Sequence, residues 1–216
     1  MVDRPVDEHP GARLGAHPGA AWCALALVLA VPALALGWTP LDPAQADPLH
    51  AHLMWVREAA LSQPWRCWTA AWVHGSAPHL MGNLMGAVLV ALLGVVARVP
   101  ARFALAWAVA WPLTHLSLLI DPRLLAYGGL SGVLHAGVAV AAISLLSQPA
   151  LRRLGWALLM GLLLKVGFEA PWRDALVAST TLGVAVAPLV HLTGVVCGIL
   201  GGSVLGGLIR RLAPAG

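Results

Sequence analysis

The chain has 216 residues, of which 59% are hydrophobic and only 10% charged, with a formal net charge of +4. Soluble domains carry about 25% charged residues, so this chain lacks the side chains to clothe a water-facing surface, and a soluble globular fold is excluded. Its thirteen basic residues lie singly or in pairs between apolar runs and form no patch, which excludes a nucleic-acid partner and leaves them a topological role.

In chain order, a polar stretch over 1–18 precedes apolar runs at about 19–38, 79–97, 101–120, 124–147, 151–168 and 183–208. About 20 apolar residues cross a bilayer, and the runs lack the period-two alternation of barrel strands. They predict an all-α polytopic membrane protein, a six-helix domain over 19–210 between tails at 1–18 and 211–216. A cleaved leader ending near 33–37 is the competing reading of the first run. With the N-terminus inside, eight of the thirteen basic residues fall on the cytoplasmic side, including the pairs Arg152–Arg153 and Arg210–Arg211, so both termini are expected in the cytoplasm. The segment 39–78 is the one long connection. Its tryptophans, Trp55, Trp65, Trp68 and Trp72, suit the headgroup level, so it is expected to lie partly in the membrane interface. Cys23, Cys67 and Cys197 are odd in number and lack ligand spacing, so neither a disulfide framework nor a metal site is expected, and the cysteines receive no role.

Polar groups inside apolar spans are costly and point to function. They are His79 and Asn83 in the second run, His115 in the third, Ser131 and His135 in the fourth and His191 in the sixth. His79 and Asn83, four apart, share one helical face. Counted from the start of their runs, Ser131 and His191 both fall about 12 Å below the outer surface. Gly128, Gly132 and Ala136 repeat at four, as do Gly194, Gly198 and Gly202, a spacing that lets helix backbones approach closely. Each signal also has a plain reading. A membrane Ser commonly bonds its own backbone, Gly-x3-Gly often means packing alone, and His115 reads as an interfacial or structural hydrogen bonder. A transporter using nine histidines is disfavoured, because His9, His17, His50 and His52 fall outside the runs and no inverted repeat is visible.

Trp65, Arg66, Thr69, His74, His79 and Asn83 form W-R-x-x-T-x4-H-x4-H-x3-N, followed by Gly129-Leu130-Ser131-Gly132 and then His191-x-x-Gly194-x-x-x-Gly198. In that order the motifs resemble those of the rhomboid family of intramembrane serine proteases, over about 60–205. The resemblance implies Ser131 as nucleophile, His191 as general base, His79, Asn83 and the Ser131 N–H as oxyanion donors, and Trp65, Arg66, Thr69 and His74 as a structural loop motif. Gly129, Gly132, Gly194 and Gly198 would serve helix packing. Many rhomboids carry Tyr four residues after the serine, where this chain has His135, which either supports His191 or is merely buried. With GLSGVLH, this looks more like the rhombosortase subgroup, which is proposed to process C-terminal sorting signals made of Gly-Gly, a transmembrane helix and a basic tail. A general rhomboid of unknown substrate and an inactive client-binding relative are the alternatives. No acidic residue falls at matching depth in any run, so a Ser131–His191 dyad is expected rather than a triad, with no cofactor. The implied setting is the inner membrane, with a site open to the extracytoplasmic side and membrane-anchored substrates bearing small residues near the cleavage point.

Overall fold

The computed structural model describes residues 19–212, with side chains through Leu205. The expected tail at 1–18, most of that at 211–216, and the charges of Arg4, Arg13, Arg210 and Arg211 lie outside the described residues or side chains. Helix α1 (Ala20–Leu36) leads into a folded connection holding α2 (Pro48–Leu53), the two-residue strand β1 (Trp55–Val56) and α3 (Arg66–Thr69). Helices α4 (Ala77–Val96) and α5 (Ala101–Leu116) follow, then strand β2 (Ala126–Tyr127), α6 (Ser131–Leu146) and α7 (Arg152–Phe168). A hairpin of β3 (Val177–Ser179) and β4 (Val184–Val186) precedes α8 (Pro188–Leu212). Helical stretches at Ala77–Val96, Ala101–Ile120 and Pro188–Leu205 are long and apolar enough to cross a membrane, and α1 and α6 are apolar but shorter.

Helix α6 is the centre of the bundle. It is rich in Gly and Ala and buried on nearly every side, packed between α5, α7 and α8. Such a helix lacks a polar face to turn outward and is enclosed by its neighbours. The small residues work as their spacing suggests. A Cβ on Gly194 of α8 would lie 2.1 Å from the carbonyl oxygen of Gly132, and one on Gly198 would lie 2.5 Å from that of Ala136. The two helix backbones therefore touch. On the far side, Trp22 of α1 packs its ring on Trp107 at 4.5 Å between centroids and donates from Nε1 to the Val90 carbonyl at 2.8 Å.

The fourth apolar run begins at 124, but its helix begins only at Ser131. The intervening segment is extended, because Gly129 adopts φ 147°, a conformation a helix cannot contain and other residues rarely reach. Hydropathy does not register this break. The depths counted from the starts of the apolar runs are thus corrected: Ser131 is the first residue of α6, and His191 lies in the first turn of α8. Extended backbone needs partners for its polar groups when it is buried. The connection after α1 supplies them, with β1 pairing to β2 and the Gly129 N–H donating to the Ala70 carbonyl at 2.9 Å. Trp55 is buried within this arrangement while Trp65 and Trp68 are exposed, so Trp55 is a core residue and not a headgroup anchor.

Gly194→Ala is expected to lower the melting temperature in detergent, by about 1–3 kcal/mol of overpacking, because a carbonyl of the neighbouring backbone cannot step aside. Gly161→Ala, whose added Cβ meets nothing within 4 Å, is the control and is expected to melt no lower than the parent.

Candidate active site

Four helices converge at one end of the bundle. Ser131 opens α6, so its backbone N–H is one of the first-turn donors that have no partner within the helix. From α8, the His191 ring directs Nε2 to the Ser131 Oγ at 2.9 Å. Helix α4 is capped by Ser76, whose Oγ accepts from the His79 N–H at 3.1 Å and also bonds the Leu182 carbonyl in the β3–β4 turn, tying that hairpin over the site. His79 and Asn83 then face inward. His79 accepts a long bond from the Gly75 N–H at its Nδ1, which puts the ring proton on Nε2, and Asn83 Nδ2 is a buried donor with no partner. A cavity of about 340 Å³ is lined by His79, Asn83, Ser131, His191 and the hairpin residues Ser179 and Leu182, with a further lobe toward Tyr127 and Gly128.

The expected two-residue arrangement is incomplete. Glu169, one residue beyond α7, sets its Oε2 2.7 Å from the Nδ1 of His191. Burial disfavours its carboxylate, but hydrogen bonds from His191 and Lys165 outweigh this and hold the group at about 2. Lys165, one turn earlier, bonds the other oxygen of Glu169 at 2.7 Å. An acid at matching depth escaped the sequence because Glu169 lies past the end of its apolar run. A Lys and a Glu four apart at the C-terminal end of a helix were the available signal.

His135 stacks on the His191 ring, with centroids 4.2 Å apart and planes 17° from parallel. Its Nδ1 bonds the Ser131 carbonyl at 2.7 Å, and its Nε2 meets the Lys165 ammonium at 2.7 Å. His135 is therefore in direct contact with His191 and not merely buried. Tyr127, also unforeseen, puts its hydroxyl 3.4 Å from the Ser131 Oγ while donating to the Gly129 carbonyl. A Cβ on Gly129 would meet that hydroxyl at 2.9 Å and the His79 ring at 3.1 Å.

The Trp65–His74 motif lies apart from the Ser131–His191 pair and fastens the connection after α1. Arg66 donates to Gln63 and to the carbonyls of Ala51 and Met54, at 2.6–2.8 Å. Thr69 donates to the Leu53 carbonyl at 2.6 Å, Trp65 packs on His52, and His74 packs edge-on against His79. His115 is fully buried and bonds the Cys67 carbonyl at 2.7 Å, a structural tie rather than an interfacial group. Cys23, Cys67 and Cys197 form no disulfide.

A helical membrane protein with a hydroxyl, an imidazole and a carboxylate hydrogen-bonded in series, beside an unpaired amide donor, belongs to the class able to perform nucleophilic catalysis. The Rhomboid domain model matches residues 61–208, and the chain belongs to the rhomboid family, whose members are generally intramembrane serine proteases acting on membrane-embedded substrates. No match was found among curated proteins.

Arg66→Met leaves the Ala51 and Met54 carbonyls without their charged donor. Charge-assisted bonds contribute about 1.5–3 kcal/mol each, so this variant is expected to unfold at clearly lower temperature in detergent, measured by tryptophan fluorescence.

Proposed function

We propose that this protein is an intramembrane serine endopeptidase in which Ser131 is the nucleophile and His191 the general base. The observation that carries the reading is the 2.9 Å approach of His191 Nε2 to the Ser131 Oγ within a cavity. Serine is a weak nucleophile at its own pKa and needs such a base. As Ser131 attacks a peptide carbonyl, His191 takes its proton, and the tetrahedral intermediate places negative charge on the former carbonyl oxygen. The Ser131 N–H, Asn83 Nδ2 and His79 Nε2 receive that charge, and donors already in position avoid a reorganisation cost in a low-dielectric setting. His191 then protonates the leaving amine. Water from the cavity hydrolyses the acyl-enzyme, again with His191 as base.

Six membrane-spanning helices with both termini in the cytoplasm put this cavity on the extracytoplasmic side of the inner membrane. The substrate is a membrane-anchored protein whose helix unwinds locally, since a carbonyl bonded within a helix is closed to attack. Gly near the scissile bond lowers that cost, because it is a poor helix former, and Gly or Ala is small enough for a narrow cleft. GLSGVLH, with His135 stacked on the base where Tyr is common, supports the rhombosortase type and hence a Gly-Gly, helix and basic-tail signal.

A fluorophosphonate probe in detergent is expected to label the parent and to fail with Ser131→Ala and His191→Ala. Asn83→Ala, which removes one oxyanion donor, is expected to slow labelling about 10²–10³-fold. Equal labelling of the parent and Ser131→Ala overturns the assignment. For specificity, a co-expressed reporter ending in Gly-Gly, an apolar helix and a basic tail is expected to be cleaved, and the same reporter with Val-Val is expected to resist. Equal cleavage of both removes the rhombosortase reading while leaving the protease.

A further inference from the structure

We infer that Glu169 is a positioning residue that fixes the tautomer of His191 against a competing donor, Lys165, carried by the same segment of chain. The inference rests on the reading of Ser131 and His191 as nucleophile and base.

The hydrogen bonds around the ring admit one consistent arrangement of protons. His135 Nδ1 faces the Ser131 carbonyl oxygen at 2.7 Å, and two lone pairs cannot meet at that distance, so Nδ1 carries hydrogen and donates. His135 Nε2 faces the Lys165 ammonium, a pure donor, at 2.7 Å, so Nε2 accepts and the ring is neutral. Lys165 gives a second hydrogen to Glu169 Oε1. His191 Nδ1 then has two neighbours of opposite character, the Glu169 Oε2 at 2.7 Å and the Lys165 Nζ at 3.3 Å. If Nδ1 donates to Glu169, Nε2 is bare and able to accept the Ser131 proton. If Nδ1 accepts from Lys165, the ring hydrogen moves to Nε2, pointing at the Ser131 Oγ, and the base is blocked. The carboxylate is nearer and selects the first arrangement.

The remaining groups facing the ring do not alter this choice. Ser131 and His135 on α6 occupy one edge and one face, and His79 of α4 lines the same cavity. Lys165 thus has two effects: it binds one oxygen of Glu169 and holds His135 against the base, yet it becomes an inhibitor of the base once Glu169 is lost.

The test uses the full chain in detergent. Glu169→Gln keeps the volume but offers Nδ1 an N–H, and is expected to slow fluorophosphonate labelling by about 10²–10⁴-fold, the scale of a wrong-tautomer defect. Glu169→Ala is expected to be slow as well, because Lys165 then donates into Nδ1. The double variant Lys165→Met/Glu169→Ala removes both neighbours and is expected to label faster than Glu169→Ala alone, an inversion that a purely structural role for Glu169 does not produce. Independently of activity, ¹⁵N spectra of histidine-labelled protein, with His191 assigned by comparison with His191→Ala, are expected to show hydrogen on Nδ1 in the parent and on Nε2 in Glu169→Gln. The same tautomer in both proteins, or, where the probe labels the parent, a double variant no faster than Glu169→Ala, overturns the inference. A tautomer switch in a parent that the probe never labels would instead sink the protease reading and leave the control of the His191 ring hydrogen by Glu169 and Lys165 standing.

Discussion

Gly132 and Gly194 let the backbones of α6 and α8 come so close that a single added carbon would fall 2.1 Å from a carbonyl oxygen. The Ser131–His191 distance follows from that contact. Ser131 sits one residue before Gly132 and His191 three before Gly194, so the short serine side chain reaches the imidazole only while the helices touch. Larger residues at these two positions would hold the helices apart, and a hydroxyl on one would then face lipid or water instead of a base. The packing and the proposed chemistry are one constraint expressed twice.

The second constraint is backbone polarity. Helix α6 has 16 residues and is about 24 Å long, and the apolar run of which it is part begins with the extended segment ahead of Ser131. That segment survives because β1, Ala70 and Arg57 take up its N–H and carbonyl groups. Arg66 and Thr69 in turn hold the connection that supplies them. The Trp-Arg motif, far from Ser131 in sequence, therefore supports the segment that leads into it. Starting α6 inside the membrane domain also aims the first-turn N–H groups, and the positive end of the helix dipole, at the space beside the Ser131 hydroxyl.

Much of this was legible in the residues, and the failures have physical causes. Composition pointed to a membrane protein, apolar runs without period-two alternation pointed to helices, and the small-residue spacing pointed to the pairing of α6 with α8, because all three depend on properties carried residue by residue. The start of α6 was misread because Leu124–Tyr127 is apolar, and hydropathy weighs side chains while Gly129 breaks the helix through its backbone. Depth counted from that false start then hid Glu169, which lies just past the apolar run of α7 and meets His191 only because all four helix ends gather in one layer. Trp55 was misassigned for the opposite reason: its preference for the interface was outweighed by the strand pairing that buries it. Tyr127 left no signal, since its hydroxyl gains meaning only from the turn at Gly129.

The most direct test is an experimental structure of the detergent-solubilised protein after reaction with a fluorophosphonate. The expected result is phosphorus on the Ser131 Oγ, with a phosphoryl oxygen within hydrogen-bond reach of the Ser131 N–H and Asn83 Nδ2 and the His191 ring beside the adduct, its far nitrogen on Glu169. An adduct on another residue, or a phosphoryl oxygen turned away from α4 with His191 withdrawn from the serine, would contradict it.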